Sequence, residues 1–146
     1  MELKEITSAT GELVEPHWLS RAEVVHRQLR PQLPPDYVGK MKRVFASGGR
    51  MCVVALDDSV VGLAVFRVFE NTLGGLELYV DDLVTDEAQR SRGAGKMMIA
   101  HVEAVARALG CWAVTLDSGC HRGSAHKFYF REGFRITSFH FTKELH

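Results

Sequence analysis

The clearest chemical signal in the chain is the stretch Arg90-Ser91-Arg92-Gly93-Ala94-Gly95-Lys96. It follows a β-like segment and opens an amphipathic helical one. A helix N-terminus carries unbonded N–H groups and a partial positive charge, which together suit phosphate oxygens. Glycines let the backbone approach such an anion with no Cβ in the way. Arg90, Arg92 and Lys96 add charge-assisted contacts at the rim. Taken alone, a tight strand-to-helix turn with solvated charges explains the pattern equally well, because short glycine patterns are weak signals. The stretch matches neither the G-x-x-x-x-G-K-[ST] phosphate loop nor a G-x-G-x-x-G dinucleotide fingerprint followed by an acid.

Two adjacent carboxylates, Asp81 and Asp82, lie just upstream on the β-like segment Leu76–Thr85. Strict alternation puts Asp81 on one face with Glu77 and Tyr79, and Asp82 on the other with Leu78 and Val80. A bulge would reverse that phase. Tyr129 follows Phe128 in a late helical stretch; a phenol of pKa about 10 keeps its proton at neutral pH and can act as an acid, or can simply be a core aromatic. The seven histidines show no ligand spacing, so no metal is expected. Cys52, Cys111 and Cys120 read as reduced thiols of a cytoplasmic protein, with Cys120 a buried filler.

These residues need a scaffold, and the hydrophobic pattern supplies one. Residues 2–7 suit a first strand and residues 12–29 a helix. Three prolines at Pro31, Pro34 and Pro35 break that helix, and a second runs from Asp36 to Ala46. Two β-branched runs around Asp57-Asp58-Ser59 read as a hairpin. Met98, Val102, Val105, Ala106 and Leu109 share one helical face that Gly110 ends. "CWAVTL" (residues 111–116) reads as a strand covered on both faces, "SAHKFYFREG" as a short helix, and "FRITSFHFTKEL" as one or two closing strands. The expectation is a single α/β (α+β) domain over residues 1–146, with a mixed sheet of six to seven strands and about four helices.

Composition narrows the partners. The chain has 146 residues, 46% of them hydrophobic, with 18 basic and 18 acidic side chains. Balanced charge argues against a nonspecific nucleic-acid binder. No apolar run approaches the roughly 20 residues that span a bilayer. No nucleic acid and no membrane partner is expected.

At this point the sequence resembles the GNAT superfamily of acyl-coenzyme A-dependent N-acetyltransferases. Arg90, Gly93 and Gly95 meet its R-x-x-G-x-G/A signature, and "AHKFYFREGF" (residues 125–134) is similar to its late A-x-x-F-Y-x-x-x-G-F helix. The chain departs from the family where Ser91 replaces a glycine and Arg122 an asparagine.

The resemblance implies a splayed sheet in which Leu83, Val84 and Thr85 pair with the pantetheine arm of acetyl-CoA, the co-substrate. The pyrophosphate would rest on Arg90, Ser91, Arg92, Gly93, Ala94, Gly95 and Lys96, with Arg122 beside the channel. A neutral primary amine would attack the thioester directly, a backbone N–H near Val84 would stabilise the oxyanion, and Tyr129 would protonate the departing thiolate. Asp81 or Asp82 would serve as base, or as counter-ion to the ammonium with water removing the proton. The implied acceptor is a small-molecule amine, with a protein lysine or N-terminus as the rival acceptor and a silent acyl-CoA sensor as the rival class. The apolar closing segment could add an edge to a second copy, as in a homodimer.

Overall fold

Pro16 at the first helical position fixes the start of α1 (Pro16–Leu29), because its ring presets φ and it has no N–H to leave unbonded. The computed structural model describes residues 1–146. The preceding residues 12–15, expected in the helix, instead turn back, and Thr7 bridges Leu13. Asp36 caps α2 (Tyr37–Ala46) by accepting from the Gly39 N–H at 2.9 Å.

The chain divides into two compact units, residues 1–115 and 116–146. In the first, β1 (Glu2–Glu5), β2 (Arg50–Leu56), β3 (Ser59–Glu70) and β4 (Leu76–Thr85) form consecutive antiparallel pairs. Asp57 takes a left-handed φ of 54° in the β2–β3 turn. After β4 come a 3-10 turn (Glu87–Gln89), α3 (Ala94–Ala108) and β5 (Ala113–Leu116), which closes the order β1-β2-β3-β4-β5.

One face of the sheet buries Leu63, Val65 and Val84 with Leu19, Ala22 and Val25 of α1 and Tyr37, Met41 and Phe45 of α2. The opposite face meets α3: a Cβ on Gly62 would come within 3.0 Å of Met98 Cε. The buried face of α3 is Ala94, Met98, Ile99, Val102 and Ala106. Leu109, expected in that stripe, is exposed beyond its end.

The second unit carries α4 (Gly123–Arg131), closed by Gly133 at φ 90°. Two expectations fail in this half of the chain. β5 is half-buried along its length, not covered on both faces, and Trp112 before it is exposed. Residues 134–146 form no strand, so the sheet has five strands where six to seven were expected. That segment has strand-like apolar content, but no pairing partner engages it within the chain: Ile136, Phe139, Phe141 and Leu145 are 71 to 91% exposed.

Candidate active site

A bulge in β4 builds the site. Val65 of β3 pairs with Asp82, yet the next residue, Phe66, pairs with Val80, so Asp81 is the extra residue. The phase of β4 inverts there. Leu78 and Val80 are buried but stand outside the cluster under α1 and α2, whereas Val84 joins it. Asp82 is thereby brought to the α1 side, and both aspartates line one cavity of about 290 Å³ together with His26, Arg30, Lys40 and Arg67. Strict alternation would have parted the two carboxylates.

Asp82 is nearly buried and accepts three hydrogen bonds: from His26 Nε2 at 2.7 Å, and from Arg30 Nε and Nη2 at 2.9 and 2.6 Å. Burial pushes its carboxyl pKa up, but the His26 and Arg30 bonds outweigh that and hold it below the ordinary carboxylate value. An ionised carboxylate only accepts, so His26 donates from Nε2; with Nδ1 bare, that atom accepts the Tyr37 O–H at 2.8 Å. Burial, with Glu23 and Asp82 nearby, raises the Tyr37 pKa, which keeps that phenol protonated as a donor. The result is a satisfied line from Tyr37 through His26 and Asp82 to Arg30.

Asp81 is gripped separately. Arg67 Nε and Nη2 donate to its Oδ2 at 2.9 and 2.6 Å. That bond raises the arginine's own pKa further, against a smaller burial effect. Arg27 shapes the cavity rim by donating to the carbonyls of Leu33 and Pro34 at 2.6 and 2.7 Å.

The sequence does not single out His26, Arg30 and Arg67, since their partners are remote in the chain. One signal was available: His26 interrupts the apolar stripe Leu19, Ala22, Val25 of α1, and a buried polar ring requires partners.

Beyond the bulge, Leu83, Val84 and Thr85 pair with Ala64, Leu63 and Gly62. The Asp86 N–H donates to the Val61 carbonyl at 2.8 Å. Backbone groups alternate in direction along an antiparallel strand, so Val84 also faces β3 and the groups of Leu83 and Thr85 face the outer edge. β5 starts level with Leu76, where the Trp112 N–H donates to its carbonyl at 2.9 Å. Four residues extend about 13 Å, so β5 accompanies only the first part of the ten-residue β4.

The turn that follows leaves backbone donors and exposed cations open. Ser91 and Gly93 both adopt left-handed φ, 67° and 93°, and Gly93 is the N-cap of α3 with no side chain capping the helix. The first intrahelical bond is Met97 N–H to Gly93, at 3.0 Å, so the amides of Gly93, Ala94, Gly95 and Lys96 have no helical acceptor. Arg90, Arg92 and Lys96 are exposed and enter no ion pair. Free amides and unpartnered cations are the donor set a diphosphate requires.

In the second unit Tyr129 is buried on α4, edge-on to Phe128 and Phe134 at 5.4 and 5.7 Å. Burial raises its pKa, with Arg122 opposing. Arg122 is the N-cap of α4 and makes no side-chain cap. Cys120, expected as a buried filler, is exposed; all three cysteines are free.

A profile of the acetyltransferase (GNAT) family matches residues 16–134. The chain belongs to that family. Among curated relatives it is 43% identical over 72 residues to an uncharacterized N-acetyltransferase, YhdJ, of Bacillus subtilis, covering 49% of this chain and 51% of that protein. It is 35% identical over 66 residues to an aminoalkylphosphonate N-acetyltransferase of Salmonella typhimurium, covering 45% and 43%. The chain thus spans about half the length of the curated relatives it matches. Among solved structures, a Trypanosoma brucei acetyltransferase superposes with a TM-score of 0.76 at 25% identity over 99% of both chains. The aminoglycoside N-acetyltransferase AAC(6')-Iy in complex with CoA superposes at 0.80 and 17% identity, over 99% of this chain and 93% of that one. At that identity the second likeness speaks to fold alone. No helix of this GNAT chain is long and apolar enough to cross a membrane.

Proposed function

We propose that this chain transfers the acetyl group of acetyl-CoA to the primary amine of a small molecule, by direct attack and without a metal, as a single acetyltransferase domain. The observation that carries the reading is one continuous run: carboxylates at Asp81 and Asp82, outward backbone groups at Leu83 and Thr85, then the uncapped cationic turn from Arg90 to Lys96. Acceptor, acyl arm and diphosphate thus each have a matching set of groups in sequence order.

In this reading the amides and side chains of residues 90–96 bind the diphosphate, with Arg122 as a further cation. The backbone around Val84, through Leu83 and Thr85, bonds the acyl arm and steadies the developing oxyanion. Asp82 is too weak a base to deprotonate an ammonium at equilibrium, so it and Asp81 act as counter-ions that hold the amine while water removes the proton. Each carboxylate retains lone pairs beyond those its arginine occupies. Tyr129, kept protonated by burial, donates to the departing thiolate. The small cavity favours a small amine over a peptide. The unpaired cysteines suit the reducing cytoplasm.

The same chain offers an unpaired outer edge at β5 and an unpaired apolar segment, residues 134–146. Both halves of a reciprocal exchange are therefore present in one sequence, and we propose a homodimer in which each copy lends that segment to the other's sheet.

The catalytic reading is tested by following free thiol release with acetyl-CoA and a panel of amines, for wild type and Tyr129→Phe. Amine-dependent release, reduced on the order of 10²-fold or more in the variant, is the expected result. CoA binding with no release for any amine would instead establish a silent acyl-CoA module.

A further inference from the structure

We propose that the acceptor amine carries an acidic group, a phosphonate, phosphate or carboxylate, and that Lys40 recognises it. The inference rests on the cavity beside Asp81 and Asp82 being the acceptor site. Counting only Asp, Lys and Arg, that cavity is lined by two anions, Asp81 and Asp82, and three cations, Arg30, Arg67 and Lys40. The anions are already matched. Asp82 pairs with Arg30 at 2.6 Å and Asp81 with Arg67 at 2.6 Å. His26 has both ring nitrogens engaged by Asp82 and Tyr37.

Lys40 is left over. It is half-buried, lines the cavity, and has neither a hydrogen bond nor an ion pair from its side chain to any group in the chain. Its position deepens the mismatch. Lys40 is the fourth residue of α2, beside the positive end of the helix dipole, where a cation is disfavoured. No acid lies in that first turn, and Asp36, which could offset the charge, is turned onto the Gly39 amide. A lone cation held against a dipole in a partly enclosed cavity is relieved by an anion from outside.

A ligand with an ammonium at one end and an acid at the other meets both requirements. The ammonium reaches the open lone pairs of the aspartates, and the acid reaches Lys40. A polyamine or an aminoglycoside brings further cations to a cavity that already has an excess of one, and is disfavoured. At about 290 Å³ the cavity also sits at the small end of the range for ligand sites.

The test compares kcat/KM for aminoethylphosphonate, β-alanine, propylamine, putrescine and an aminoglycoside, using wild type, Lys40→Met and Lys40→Arg. The acid-bearing amines should exceed propylamine and putrescine by on the order of ten- to a hundred-fold. Lys40→Met should abolish that preference, with the loss falling on the acid-bearing amines ahead of propylamine, and Lys40→Arg should retain it. The thermal midpoint of wild type, but not of Lys40→Met, should rise with aminoethylphosphonate alone. The ranking of aminoethylphosphonate over β-alanine, or the reverse, identifies the acid. Turnover led by putrescine or the aminoglycoside, or an equal loss on all amines in Lys40→Met, overturns the inference while leaving the transferase reading intact. Absence of thiol release with every amine sinks that reading instead, and a midpoint shift that survives in Lys40→Met then sinks the Lys40 assignment separately.

Discussion

Replacing Asp82 provides the sharpest test of how the cavity is held together. In Asp82→Ala the Nε2–H of His26, a ring that is 1% exposed, loses its acceptor. An orphaned buried donor costs about 1–3 kcal/mol. Arg30 also loses its carboxylate, keeping the Asp81 carbonyl at 3.2 Å; its side chain is 42% exposed and solvent screens it, so that loss adds only about 0–1 kcal/mol. The total is about 1–4 kcal/mol, centred near 2.5, a sizeable share of the roughly 5–15 kcal/mol that holds a domain folded. Asp82→Asn behaves differently because of the histidine. The amide oxygen can turn to Arg30 and its NH2 to His26, which then switches tautomer, accepts at Nε2 and donates from Nδ1 to the Tyr37 oxygen. Every heavy-atom contact survives; charge assistance, about 1 kcal/mol, is lost, and the Tyr37 hydroxyl hydrogen must turn to another acceptor. At about 2–4 °C per kcal/mol, calorimetry should show the midpoint falling by roughly 5–10 °C for Asp82→Ala and 2–4 °C for Asp82→Asn. Equal losses in the two variants, or an alanine variant within about 0.5 kcal/mol of wild type, would refute the assigned direction of the network.

Three further expectations concern other parts of the chain. Gly93→Val meets no atom within 4 Å of its Cβ, so the whole penalty is the φ of 93°, about 1–2 kcal/mol. Titration calorimetry should find CoA bound on the order of ten-fold more weakly with the fold intact, and unchanged affinity would displace the phosphate site. Because the Asp82 pKa is depressed in the folded state, its stabilisation is fully present above the unfolded value of about 3.9 and is lost as pH falls through the native value. Urea denaturation should show this acid limb in wild type and not in Asp82→Asn; a limb common to both would assign it to other carboxylates. Removing residues 134–146, or converting Phe139 and Phe141 to Lys, should turn a dimer into a monomer in size-exclusion light scattering, and an unaltered mass would exclude the exchange.

Local signals located the elements well where a single residue decides. β4 runs from Leu76 to Thr85 as its alternation and flanking turns indicate, and Asp36 caps α2 where helix chemistry places it. The start of α1 is four residues later than its apolar pattern suggests, although Pro16 was the visible marker. The cavity was half legible. Asp81 and Asp82 stand out as paired acids, but their arginines and His26 come from β3, α1 and the C-cap of α1, 14 to 56 residues away. No local pattern encodes such pairings. The missing closing strands have a different origin: the alternation in residues 134–146 records a capacity to pair, not the partner.

The extra residue at Asp81 has a consequence for any comparison of this chain with its kin. Parity along β4 is not conserved across position 81, so an ungapped alignment to a relative with an even count there would match inward residues to outward ones from Asp82 onward. Deleting that one residue would flip Leu83, Val84 and Thr85, turning the backbone groups of Val84 to the outer edge and those of Leu83 and Thr85 onto β3.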